Sequence, residues 1–321
     1  MKVYYQNCVN QMIENFEKLK KAFMWESDNA KHLIALNYAM NQKSLNVDDL
    51  SEMKQYIKSS TGAFSPFRGI ILFPMSGMVI TASDQPKEMV NRMIANLDVL
   101  KRAGFKSSTY LPTALYALET ANEGLEIKSL IDKAFSIYKE MKSNHPFLTG
   151  GDDYALAILL ASSNHNPDLL EQYYSGLVEV GFAKCNGLQM MSHILSFGGS
   201  SVYQGVDKCK FIYDRLKAAK LKVSYDYYPA IALMSLLNDH GELIDDMIEI
   251  ATYLLKQKSY KWLGKGMNIL MASAIVSSHY VSQDGDILTT SLTVSIQSII
   301  AAQQAAMIAA TSTAVVATSG T

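Results

Sequence analysis

Two kinds of apolar stretch alternate along the chain. In 125–142, LEIKSLIDKAFSIYKEMK, the residues Ile127, Leu130, Ile131, Ala134, Ile137, Tyr138 and Met141 recur at steps of three and four, leaving Glu126, Lys128, Lys133 and Glu140 on the other side. That pattern predicts an outer helix with one face in water. In 154–161, YALAILLA, and 229–237, PAIALMSLL, apolar residues occupy every side, as a helix enclosed by its neighbours requires. Those segments are predicted as inner helices.

The outer–break–inner unit recurs. Segments 96–120 and 212–238 share a charged helix end, a short break and an apolar helix opened by Pro112 or Pro229, where proline's missing donor costs nothing. A large apolar residue marks each break: Phe64, Phe105, Phe147, Phe182, Leu221 and Tyr260, separated by 41, 42, 35, 39 and 39 residues. Such steps match the length of one helix pair in solenoid proteins. Asn166-Pro167-Asp168 reads as a helix start, and Ser201 with Gln204 has capping-box spacing. Breaks at 122–124, 198–201 and 240–241 are short, as between antiparallel helices.

The expected fold is all-α: a helical-hairpin repeat array of six pairs, with 1–41 as a seventh, forming one domain over 1–317. The uneven step favours an open superhelix over a closed toroid. An Ala-rich helix over 287–317 closes the array, and 318–321 is expected to fray. No charge follows Asp286, but Gln297, Gln303 and Gln304 interrupt the apolar run, which suits close helix packing better than a membrane span.

Composition narrows the function. Lys and Arg number 29 against 30 Asp and Glu, leaving a net charge of −1, so nucleic acid is not an expected partner. The apolar share of 49% argues for a folded chain. Cys8, Cys185 and Cys209 form no C-x-x-C pair, so neither a disulfide framework nor a thiolate zinc site is expected. With no apolar leader at the N-terminus, the expected location is the cytoplasm.

Candidate chemistry gathers at the N-terminal ends of the inner helices, which carry Arg68, Tyr110, Asp152, Asp153, Lys184-Cys185-Asn186, Asp226 and Lys265. Asp152 and Asp153 open an apolar helix, and the plain reading is capping, favoured by the helix dipole. The alternative is an oxygen-ligand site for a divalent cation, or a shared proton for acid–base work. His193 shares an uncharged polar stripe with Gln189, Ser192 and Ser196, which suits either a ligand cavity or an internally satisfied interior. No glycine-rich phosphate loop, G-x-S-x-G elbow or H-E-x-x-H motif is present.

The expected function is therefore binding of a protein or peptide partner, without a cofactor and leaning away from catalysis. The alternative is a metal-assisted enzyme or small-ligand binder, with Asp152, Asp153 and His193 as its chemistry and Arg68, Tyr110, Gln189 and Asp226 as ligand contacts. A third reading attaches the chain to a membrane through 292–317. Oligomeric state is left open.

The segments FLTGGDDYALAILLA, NGLQMMSHILSF and IIAAQQAAMIAA resemble domain-of-unknown-function family 4003, bacterial proteins mostly from Gram-positive organisms. The resemblance implies a cytoplasmic bacterial protein whose Ala-rich C-terminal helix belongs to the domain. It implies no activity.

Overall fold

A computed structural model describes residues 1–121, 124, 126–163, 167–198, 200–238, 241–283, 296, 299, 300 and 303. Among them the protein is all-helical, with fourteen α-helices and no strand. The chain divides into two compact units, a larger one of residues 10–162 with 298–321, and a smaller one of residues 1–9 with 163–297.

The larger unit holds most of α1 (Val3–Ala22), then α2 (Asp28–Met40), α3 (Val47–Ser59), α4 (Leu72–Ala82), α5 (Pro86–Ala103), α6 (Leu111–Ala121), α7 (Ile127–Asn144) and α8 (Tyr154–Ser162). Outer and inner character alternates as the sequence predicts. On α7, Leu130, Ile131, Ala134, Ile137 and Met141 are buried, whereas every residue of α8 from Tyr154 to Ala161 is. Inner helix packs on inner helix, α2 on α4 and α6 on α8, while α3, α5 and α7 line up outside them. Lys87 pairs with Glu52 and Tyr56 with Asn91, a constant offset of 35 residues that makes α3 and α5 parallel.

In the smaller unit the outer helices are α9 (Pro167–Glu179), α11 (Val202–Ala218) and α13 (Glu242–Lys256), and the inner ones α10 (Asn186–Leu195), α12 (Tyr228–Ser235) and α14 (Gly264–Gln283). Ser201 and Gln204 form the expected capping box at the start of α11. The first residues of the chain dock here too. Lys2 Nζ reaches Asp246 at 2.7 Å and Glu242 at 2.6 Å, Met1 pairs with Glu249, and Tyr4 stacks on His279 with ring centroids 3.6 Å apart.

One locking arrangement recurs in both units. Gly104, at φ 118°, turns the chain out of α5, Phe105 enters the core, and the Lys106 N–H donates to the Tyr154 hydroxyl at 3.2 Å. The Phe105 and Tyr154 rings meet edge to face at 4.9 Å and 87°. In the smaller unit Gly181, at φ 98°, precedes buried Phe182, and the Ala183 N–H approaches the Tyr228 hydroxyl at 3.5 Å. The Phe182 and Tyr228 rings repeat the 4.9 Å, 87° contact. Tyr154 and Tyr228 each open an inner helix, so a residue of one helix pair fastens the connection of an earlier pair.

Four of the six residues that mark the breaks, Phe105, Phe182, Leu221 and Tyr260, are buried. Phe64 and Phe147 differ: both are fully exposed, and Phe67 is the buried ring of the α3–α4 connection. Pro112 stands second, after Leu111, in α6. The helix expected over 287–317 lies outside the described residues except for Ile296, Ile299, Ile300 and Gln303, which are helical and buried. The tail 318–321 and the break residues Asn122, Glu123, Asn166, Gly199 and His240 also lie outside them. No helix of the described residues is long and apolar enough to cross a membrane.

Close backbone approach makes two glycines structural. The 3-10 turn Tyr225–Tyr227 sits between α10 and α14, so a Cβ on Gly187 would lie 1.9 Å from the Tyr225 carbonyl oxygen, and one on Gly266 would lie 2.2 Å from the Tyr227 ring. Gly187→Ala is expected to destabilise by at least the ~1–3 kcal/mol typical of overpacking. Gly62→Ala, which meets nothing within 4 Å, should stay within about 1 kcal/mol of wild type. Removing only the locking hydroxyl, in Tyr154→Phe, should cost about 1 kcal/mol. Urea unfolding of the three variants checks this ordering.

Candidate functional site

The two adjacent carboxylates have unequal surroundings. Gly151–Asp153 forms a 3-10 turn that leads into the enclosed α8. Asp153 Oδ2 accepts from the Gly150 N–H at 2.8 Å, a capping contact. The residue is 0% exposed, and its other oxygen has no hydrogen-bond partner. Asp152 stays half-buried beside it. Burial, and secondly the Asp152 charge, push the Asp153 carboxyl up to about 8, against the opposing pull of the Gly150 N–H and Lys142. At neutral pH Asp153 is therefore mostly protonated.

Tyrosines surround this turn. Tyr110 lies against Gly151, where a Cβ would be 3.0 Å from its ring, and burial followed by the charges of Asp152 and Asp153 raises its hydroxyl. Burial is also the leading cause that pushes Tyr138 up to about 12. Lys142 Nζ donates to the Thr149 carbonyl at 2.6 Å, which holds the strand of chain entering the turn. The arrangement favours the neutral form of the Asp153 carboxyl. Among the described residues no group of three or more His, Cys, Asp and Glu side chains is placed to hold a metal ion.

The remaining candidates are dispersed. Arg68 donates to the Thr61 carbonyl at 2.6 Å and to the Lys58 carbonyl, so its guanidinium closes the end of α3. Asp152, Asp153, Arg68 and Tyr110 belong to the larger unit, whereas Gln189, His193 and Asp226 belong to the smaller. Asp226 is exposed in the turn before α12. The polar stripe of α10 is interior: Gln189, Ser192, His193 and Ser196 are all buried. Ser192 Oγ donates to the Gln189 carbonyl at 2.8 Å and Ser196 Oγ to the His193 carbonyl at 2.7 Å. Burial pushes the thiols of Cys8 and Cys209 up to about 12, which disqualifies both as thiolate nucleophiles at neutral pH.

One surface feature escaped the sequence reading. Ser200, Gln204, Asp207, Lys208 and Phe211 line an open groove of about 480 Å³ along α11. Their spacing of four, three, one and three places Gln204 to Phe211 on one helix face. Tyr203 and Phe211 are exposed beside it, and Lys208 Nζ is held by the carbonyls of Leu237 at 2.9 Å and Ser235 at 3.2 Å. The available signal was two aromatics on the solvent side of an amphipathic helix.

With the geometry in place, comparison with known proteins gives a match to the family described as Protein of unknown function (DUF4003) over residues 15–305. The chain belongs to the DUF4003 family. The DUF4003 chain is also 28% identical over 307 residues to Uncharacterized protein YeaA of Bacillus subtilis (strain 168), covering 93% of this chain and 92% of that protein. No solved structure matches it. All the candidate residues of this DUF4003 chain lie inside the matched span, as does the start of the Ala-rich C-terminal segment, through residue 305.

The Asp153 environment gives the DUF4003 chain a pH signature. A carboxyl raised in the folded state from 3.8 to about 8 holds its proton while the unfolded chain has already lost it. Its contribution to stability is full below about pH 4 and declines as pH rises to about 8, by an amount on the order of a few kcal/mol. Asp153→Asn keeps the acceptor for Gly150 and removes the charge. Urea unfolding between pH 5 and pH 9 should show the variant close to wild type at the acid end and more stable at the alkaline end; parallel curves would refute the assignment.

Proposed function

We propose that this chain is a helical-hairpin repeat protein, an open superhelix of outer and inner helix pairs, that acts in the cytoplasm by binding a peptide segment of a protein partner, without catalysis. The observation that carries the reading is the groove along α11. Its volume of about 480 Å³ lies in the range of ligand-binding clefts, and it offers the aromatic ring of Phe211 beside the polar side chains of Gln204, Asp207 and Lys208. The exposed ring of Tyr203 extends the apolar contact outward. A helix-borne groove of this kind suits an extended or helical peptide, anchored by one or two apolar side chains. The outer–inner alternation in both units supports the repeat reading.

Selection of a random displayed peptide library against the purified chain tests the groove. Enriched peptides should bind wild type and lose at least about tenfold in affinity to Phe211→Ala, the effect of truncating one interface anchor. Because Phe211 is exposed, the substitution should leave the unfolding midpoint in place. Peptides that bind Phe211→Ala as well as wild type would sink the assignment.

The metal-assisted reading has one observation on its side, the buried second oxygen of Asp153. Our expectation is that Mg²⁺, Mn²⁺, Ca²⁺ and Zn²⁺ leave the thermal midpoint unchanged. A specific site at one hundred times its Kd would add about 2.7 kcal/mol, so a rise lost in Asp152→Asn/Asp153→Asn would shift the weight to metal chemistry.

A further inference from the structure

The larger unit exposes aromatic rings where its outer helices turn into inner ones. Trp25 in the α1–α2 connection is 96% exposed, Phe64 in the α3–α4 connection 102%, and Phe147 in the α7–α8 connection 98%. These rings lie at one end of the unit. Phe23 packs on Phe73, the second residue of α4, at 4.8 Å, which brings the first two connections together. Parallel α3 and α5 place the α3–α4 and α5–α6 connections at the same end. The α5–α6 connection then touches the turn before α8, through Lys106 to Tyr154 and Tyr110 to Gly151.

That end is also positive. The last turns of α1, α3, α5 and α7, with the connections that follow them, carry eight Lys and Arg against three Asp and Glu. Of the three acids, Glu26 is paired with Lys54, and Asp153 is buried; Asp28, which opens α2 at this end, is paired with Lys31. Of the bases, Arg68 and Lys142 are bound to backbone carbonyls and Lys101 is paired with Asp98, which leaves Lys20, Lys21, Lys58, Arg102 and Lys106 as the exposed positive charge. The opposite end carries Asp48, Asp49, Asp84, Glu88 and Glu126 against Lys43, Lys87 and Lys128. Helix dipoles account for basic residues in the last turns of the outer helices. They do not account for exposed Lys106 ahead of α6, nor for three bare aromatic rings.

We propose that this end of the larger unit docks on a membrane surface bearing anionic lipid headgroups, with Trp25, Phe64 and Phe147 entering the headgroup layer and the neighbouring lysines and arginines meeting the phosphates. Charge complementarity selects the partner's sign. The form of the aromatics favours a bilayer over an acidic polypeptide: each fully exposed ring stands on its own connection, separated from the others along the chain. An interface that yields around each ring accepts separate aromatic tips, and Trp is favoured at that depth. Each Lys or Arg near an anionic surface adds about fivefold to the partitioning. This docking is independent of the α11 groove, which lies in the other unit.

The chain has two tryptophans, so Trp262→Phe leaves Trp25 as the reporter. The full chain with that substitution is mixed with vesicles of phosphatidylcholine containing roughly a third phosphatidylglycerol, at low salt. Co-sedimentation with a blue shift of Trp25 emission, weakened by salt as screening requires and absent with pure phosphatidylcholine, is the expected result. Phe64→Ser/Phe147→Ser should lower partitioning at least about tenfold, and Lys58→Glu/Arg102→Glu/Lys106→Glu about a hundredfold. The substituted side chains are exposed, so the serine variant should keep the parent's thermal midpoint, while the charge-reversed variant should fall slightly through the lost helix-dipole contacts of Lys58 and Arg102. No sedimentation with anionic vesicles, or partitioning that neither variant changes, overturns the proposal. Poly-L-glutamate shifting Trp25 where vesicles do not would replace the bilayer with an acidic polypeptide.

Discussion

Enclosure of the inner helices is the constraint on which the structure depends. A helix touched on every side has no water for its polar groups, so each must be satisfied within the protein or neutralised. The serines on these helices comply by bonding backward to their own carbonyls. Ser76 reaches Leu72 at 2.7 Å, Ser235 reaches Ala232 at 2.7 Å and Ser273 reaches Leu270 at 2.8 Å. Charge lies mostly on the outer helices and the connections; on the inner helices, Lys31 of α2 is paired with Asp28 at 3.0 Å and Glu119 of α6 with Arg92 at 2.7 Å. Asp153 is the instructive exception, because it sits where enclosure begins and meets the constraint by keeping its proton.

Enclosure also dictates how the connections are made. A chain leaving an outer helix must turn within a few residues and enter a crowded layer. The left-handed glycines at 104 and 181 make that turn, and the buried rings of Phe105 and Phe182 fix its depth. Crowding reaches its limit at the turn Tyr225–Tyr227, which fits between α10 and α14 only because Gly187 and Gly266 carry no side chain. Where the connections leave the layer, side chains have no neighbours to satisfy, and the rings of Trp25, Phe64 and Phe147 stand in solvent.

Much of the helical plan was legible in the chain. Period and all-round apolarity separated α7 from α8, and the Ser201–Gln204 spacing located the start of α11, because both signals are local. Depth was not legible. Phe64 and Phe105 occupy similar places in the pattern, yet one is bare and the other buried, since the two intervening residues, Ser65 and Pro66, that bring Phe67 inward have no periodic signature. For the same reason Asp152 and Asp153 looked equivalent, although only one is enclosed. Gln189 and His193 read as a polar face, but a polar stripe has the same spacing whether it meets water or another helix. The α11 groove depends on neighbours that no spacing along one helix records.

The tyrosine lock carries a consequence for biosynthesis. The connection at Gly104–Lys106 is fastened by Tyr154, and the one at Gly181–Ala183 by Tyr228, so each latch arrives more than forty residues after the hinge it closes. A chain leaving the ribosome holds each hinge unlatched until the second following inner helix begins to emerge. Pauses in translation placed just before the codons for Tyr154 or Tyr228 would prolong that interval, and with it the time during which Phe105 or Phe182 is available to chaperones.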